Sequence, residues 1–144
     1  LGVVGSMLQH PRALLGLSDA GAHVGTICDA SFSTFLLTHW ARDRKRGATI
    51  PLEQVVRLQT GNTASVYGLT DRGTLEVGRK ADLNVIDFDR LHLYGPEMVF
   101  DLPAKGRRLI QRVDGYRATV VSGAVTFENG ESTGAMPGKL VRAS

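Results

Sequence analysis

The hydrophobic period of the chain changes near its middle. In the first half, Phe32, Phe35, Leu36, His39 and Trp40 fall at i, i+3, i+4, i+7 and i+8, the spacing of one helical face. Asp29 or Ser31 is the N-cap expected before this run. Arg42, Arg44, Lys45 and Arg46 follow, then Gly47, so cations lie in the last turn and a glycine suits the left-handed cap. The basic cluster therefore reads as helix punctuation rather than as an anion site. Pro51 suits the first position of a second helix, to which Leu52, Val55, Val56 and Gln59 give one apolar side. Gly61 interrupts, and residues 62–67 make another helical turn that ends at Gly68. Upstream, residues 1–9 read as the tail of a helix stopped by His10-Pro11.

After Gly73 the period shortens. Residues 81–88 read as a strand with Asp82 and Asp87 at its ends, and residues 109–113, 118–122 and 124–128 are further short β-rich runs. Ser122-Gly123 and Asn129-Gly130 are turn signals, the first of them inside a hairpin. The expected class is α/β followed by β, with the change across residues 69–79.

Composition adds bounds. The 144 residues are enough for one domain with a core, and 42% hydrophobic with 22% charged is ordinary for a soluble globular protein. The formal net charge is +3. No basic stripe with interleaved aromatics accompanies it, so no nucleic-acid partner is expected. The apolar runs are too short to span a membrane, and no signal-peptide pattern opens the chain. Cys28 is the one cysteine, so no internal disulfide can form and a reducing, cytoplasmic setting is expected. The chain opens on Leu1 rather than Met, which fits a fragment or a processed piece.

Candidate chemistry centres on residues 13–17, an apolar run that leads through Ser18 into Asp19 and a Gly-rich loop. Read as a buried strand, this run places Asp19 at a strand's carboxyl end, where α/β barrels hold catalytic residues. Read more plainly, Asp19 starts a turn or caps a helix. His23 lies four residues on, either near such a site or as an ordinary loop histidine. His39 reads as packed against the helical core, His10 as a turn residue, and His92 lies in the β half. Cys28 has no paired ligand spacing and reads as an inert thiol.

The segment from Thr60-Gly61-Asn62-Thr63-Ala64 through Tyr67-Gly68-Leu69 runs on to Gly73, Gly78 and Ala81-Asp82-Leu83. It resembles the carboxyl-terminal signature of the amidohydrolase superfamily, in which a helix ending in Gly-Leu precedes a Gly-x-x-x-x-Gly-x-x-Ala-Asp-Leu strand. Val120-Val121-Ser122-Gly123-Ala124-Val125 is similar to that family's last hairpin, and Ser18-Asp19 to its last barrel strand. Ser-Asp with a histidine four residues on, then an aromatic helix, is most similar to the N-acyl-D-amino-acid deacylases. Dihydroorotases and hydantoinases share most of these features.

The resemblance implies that residues 1–68 are the C-terminal end of a (β/α)8 barrel, its last strand and helices. Residues 69–144 are then the C-terminal part of a small β-sandwich domain. It implies hydrolysis of a C–N amide bond, with an N-acyl-D-amino acid favoured as the small-molecule substrate. A zinc ion would lower the pKa of its bound water and polarise the carbonyl. Asp19 would be the proton-transfer residue and a possible metal ligand, with His23 a candidate for positioning substrate. The family's remaining ligands, among them a His-x-His pair, are absent from this chain, and a complete barrel takes about 250 residues. The isolated chain is therefore expected to be inactive. Its partner is expected to be the missing N-terminal part of the same protein or further copies of itself, since unpaired edges and apolar patches invite association. Two other readings stand beside this one: a cyclic-amide hydrolase of the dihydroorotase or hydantoinase kind, and a non-catalytic β-rich binding or assembly module in which Asp19 is only a turn residue. The sequence upstream of Leu1 would separate the enzyme readings from the module.

Overall fold

The computed structural model describes residues 2–16, 18–21 and 25–141. Helix α1, Gly2–Leu8, ends as the His10-Pro11 pair requires, with His10 Nδ1 accepting the Arg12 backbone N–H at 3.2 Å. Residues 13–16 follow as irregular chain, so the strand expected over residues 13–17 is not formed in its described part. An apolar run becomes a strand only where a neighbour takes its N–H and C=O groups, and no described strand pairs with this one.

The aromatic helix begins as α2, Phe32–Phe35, and widens into a π-helix over Leu36–Asp43. Thr38 Oγ1 donates to the Thr34 carbonyl at 3.1 Å, which competes with the backbone N–H for that acceptor and favours the wider turn. The widening corrects the expected apolar face. Leu36, Leu37 and Thr38 are buried in succession, together with Thr34 and Trp40, while Phe32 and Phe35 are turned outward at 37% and 41% exposure. Gly47 then turns the chain with φ +93, and the Ile50 N–H caps the Trp40 carbonyl at 2.8 Å. Pro51 precedes α3, Leu52–Gln59, as its N-cap, and α4, Gly61–Val66, leads to Gly68 at φ +68.

The second half is antiparallel throughout. Its strands are β1 (Leu83–Ile86), β2 (His92–Leu93), β3 (Glu97–Leu102), β4 (Gly106–Ile110), β5 (Val113–Asp114), β6 (Tyr116–Val121), β7 (Ala124–Glu128) and β8 (Glu131–Ser132). One sheet has the order β1-β6-β7-β8, and β2-β5 and β3-β4 are two-stranded ribbons. Both turn signals close hairpins, with positive φ at Ser122, Gly123, Asn129 and Gly130, as two-residue hairpin turns of this hand need. The run expected over 109–113 is divided between β4 and β5, and the sequence reading passed over β3. In Glu97-Met98-Val99-Phe100-Asp101-Leu102 the apolar run is only three residues long and is flanked by Glu97 and Asp101, so it falls short of both the alternating pattern and the longer apolar run by which a strand is read.

One core joins helices to strands. Leu36, Leu37, Trp40, Ile50, Val55 and Leu91 are buried together, and Ile86, Phe88, Val113 and Tyr116 pack against them. Arg42 fastens the same junction: its guanidinium donates to the carbonyls of Phe88 and of Leu91, the latter at 2.9 Å, and Asp43 pairs with it at 2.8 Å. The Arg42 guanidinium holds the Asp43 carboxyl below the usual carboxylate range. Thr34 Oγ1 and the Tyr116 hydroxyl share a hydrogen bond of 2.9 Å across the same seam. Gly115, at φ +100, passes so close to Leu91 that a Cβ there would lie 2.7 Å from Leu91 Cα.

Two substitutions test this junction by urea denaturation. Gly115→Ala combines a left-handed backbone with a backbone collision and should cost at least about 2 kcal/mol. Leu91→Ala, which empties a fully buried site, should cost about 2–5 kcal/mol.

Candidate functional site

Asp19 is exposed at the head of an irregular loop. Its backbone carbonyl accepts the Asp29 N–H at 2.8 Å, so Asp19 and Asp29 are joined backbone to backbone. Asp29 in turn accepts the Phe32 N–H at 3.1 Å, which ties the base of the loop to the start of α2. Ser31 occupies the N-cap position without a side-chain cap bond. The carboxylate at position 19 thus projects from backbone fixed at its own residue, and it faces solvent. His23, the other residue singled out for substrate, lies outside the described residues.

The returning arm of the loop lies against β4. A Cβ on Gly25 would sit 3.8 Å from Arg107 Nε, and Cys28 Sγ lies 3.9 Å from the Leu109 carbonyl. The β3–β4 ribbon is itself held by charge pairs. Arg108 grips Asp101 with two parallel bonds of 2.8 and 2.7 Å, and Arg112 meets Glu97 at 2.6 Å. The Arg108 guanidinium holds the Asp101 carboxyl below the usual carboxylate range.

The other candidate residues are dispersed. His39 stacks on Phe35 at 4.8 Å and meets Trp40 edge-on at 5.3 Å, as a packed histidine does, with its Nε2 buried and unpartnered among the described residues. His10 serves its turn. His92 lies edge-on to Tyr94, whose hydroxyl donates to Asp114 at 2.6 Å. Cys28 is a free, half-buried thiol. Among the described residues no three His, Cys, Asp or Glu side chains gather closely enough to hold a metal ion. The described residues therefore do not make a metal centre by themselves.

The aspartates of the signature serve the fold. Asp82 accepts the Ser122 N–H at 2.7 Å and pairs with Arg72 at 3.1 Å, and Asp87 pairs with Arg117 at 2.8 Å. A largely apolar groove of about 1020 Å³ opens between α3, α4 and the start of β1, lined by Leu52, Val56, Leu75 and Leu83, with Arg57 and Asp82 also on its wall; Asp19 is not part of it. The sequence reading missed Arg42 and the β3–β4 ribbon. Arg42 stood inside a basic run that explained itself as helix punctuation, and only the placement of residues 88–91 under the helix reveals its second task.

Residues 2–127 match the Amidohydrolase family. An uncharacterised protein of Mycobacterium tuberculosis is 35% identical over 137 residues, which cover 89% of this chain and 22% of that protein. A D-aminoacylase of Alcaligenes xylosoxydans xylosoxydans is 34% identical over 106 residues, 74% of this chain and 19% of that protein. The crystal structure of a D-aminoacylase superposes with a TM-score of 0.52 at 29% identity, covering 72% of this chain and 19% of the other. An aspartate-to-alanine variant of D-aminoacylase, in complex with copper chloride, gives the same values. The chain spans about a fifth of the length of the curated relatives it matches.

The Arg108–Asp101 pair gives a pH test. A carboxyl whose folded pKa is lowered contributes stability in full above its unfolded value, about 3.9, and loses it as pH falls through the lowered folded value. In Arg108→Met the Asp101 carboxyl should titrate closer to that ordinary value, as read by carboxyl carbon NMR, and the part of the acid destabilisation that this pair causes should disappear.

Proposed function

Because the chain belongs to the amidohydrolase family, we propose that it is the C-terminal portion of an enzyme that hydrolyses the C–N amide bond of an N-acyl amino acid, with the D-enantiomer favoured. The similarity to D-aminoacylase in both sequence and structure, over nearly three quarters of the chain, carries this reading. In it, residues 1–68 complete a (β/α)8 barrel and residues 69–144 complete a small β-sandwich domain. The irregular residues 13–16 gain strand neighbours from the preceding part of the polypeptide. That part is the proposed partner, and self-association of the isolated chain is the outcome expected without it, because Phe32, Phe35, Val56 and Leu75 are left exposed.

Asp19 is the proposed proton-transfer residue. Its carboxylate takes a proton from the attacking water and returns it to the departing nitrogen, which spares the reaction an unstable amide anion as leaving group. The solvent-facing side chain, on backbone joined to Asp29, supports this role. Zinc is the proposed metal of the complete enzyme, with ligands supplied mainly from outside this chain and Asp19 adding one at most. The copper chloride complex of D-aminoacylase supports metal binding in such a protein. No described helix is long and apolar enough to cross a membrane, and the single Cys28 supports a cytoplasmic setting.

The test is turnover of N-acetyl-D- and N-acetyl-L-amino acids by the full-length protein. Asp19→Asn should lower kcat by about 10²–10⁴ with the fold intact by circular dichroism. The 144-residue chain alone should release no amino acid. Full activity of the Asn variant, or turnover by the short chain, would overturn the assignment.

A further inference from the structure

The β3–β4 ribbon pairs with no strand of the four-stranded sheet, yet it reaches across the chain to the loop that bears Asp19. Arg107 and Leu109 are two residues apart on β4. Arg107 Nε lies 3.8 Å from where a Cβ on Gly25 would stand, and the Leu109 carbonyl lies 3.9 Å from Cys28 Sγ. Two close approaches, three residues apart in the loop and two apart on β4, lay the strand alongside the segment from Gly25 to Cys28. The next residue, Asp29, donates its N–H to the Asp19 carbonyl. The Leu109–Cys28 contact and the Asp29–Asp19 bond therefore connect β4, through the chain from Cys28 to Asp29, to the backbone of Asp19.

The ribbon is equipped to act as a support. Its bidentate Arg108–Asp101 pair fixes the two strands to each other, Arg112 just beyond β4 pairs with Glu97 at the start of β3, and Gln111 Nε2 donates to the Tyr94 carbonyl at 2.7 Å. Arg107 differs from these neighbours. Among the described residues it makes no ion pair, and its Nε lies within van der Waals range of where a Cβ on Gly25 would stand.

We propose that the β3–β4 ribbon braces the Asp19 loop and that Arg107 is a positioning residue, holding the segment from Gly25 to Cys28 so that the Asp29–Asp19 bond keeps the carboxylate in place. The catalytic half of this proposal rests on the reading of Asp19 as the proton-transfer residue; the mechanical half does not.

Cys28 reports on the brace directly, because its thiol lies inside the contact. Alkylation by iodoacetamide, followed at the Cys28 peptide by mass spectrometry in the full-length protein, should be about fivefold faster in Arg107→Ala. Arg107→Lys, which keeps a long cationic side chain, should recover much of the protection. The double variant Asp101→Ala, Glu97→Ala loosens the ribbon without touching the loop and should also expose Cys28. Unchanged alkylation in both the Arg107→Ala and the double variant, with circular dichroism unaltered, overturns the brace. Turnover separates the second half: Arg107→Ala should lower kcat while leaving KM unchanged, and Arg107→Lys should restore it. Faster alkylation with unaltered kcat, in an enzyme that Asp19→Asn inactivates, overturns the positioning role. If Asp19→Asn is fully active, the proton-transfer reading falls, and the alkylation rates still decide whether the ribbon braces the loop.

Discussion

The insertion of Leu91 beneath the widened helix is the contact on which the rest of this structure depends. A short turn of the β half is carried into a pocket of helical side chains, and every polar backbone group it takes along must find a partner there. Arg42 supplies two of those partners at once. Its guanidinium closes over the carbonyls of Phe88 and Leu91 from the last turn of the helix, while Asp43 balances its charge. Gly115 is what lets the two backbones approach, since any side chain there would strike the Leu91 main chain. Apolar burial, a charged donor and a missing Cβ thus act at a single point.

How much of this was legible beforehand depended on the range of the interaction. Turn chemistry is local, and Ser122-Gly123, Asn129-Gly130, Gly47 and Gly68 all adopt the left-handed backbone that their context called for. Helix starts and stops were likewise readable from Pro11, Pro51 and Gly61. The expected face of the aromatic helix was displaced because a side-chain hydroxyl, Thr38, altered the pitch, and periodicity arguments presuppose a constant pitch. Residues 13–16 carried the composition of a strand, but pairing belongs to the neighbours and not to the run itself.

The candidate site divides along the same line. Asp19 was visible because a carboxylate at the end of an apolar run is a local pattern, and the structure adds that its backbone is closed onto Asp29. The ribbon that approaches the loop from residues 107 and 109 lies more than eighty positions away in sequence, and nothing in the local alternation of β4 marks its destination. The family signature around Asp82 was the most recognisable stretch of all, and its side chains turn out to serve turns and ion pairs. The residues that identify the family and the residue proposed for its chemistry are thus separate sets here.

The π-helix over Leu36–Asp43 has a bearing on how this protein can vary. Wide turns are what a helix adopts when it contains one residue more than its span requires, with the surplus spread over several hydrogen bonds. Loss of one residue from this stretch would let ordinary four-residue turns resume while Trp40 and Arg42 kept their orientation. Among homologues, this segment is where a single-residue gap should be found inside a helix, and where chain length can drift over evolutionary time without dislodging Leu91.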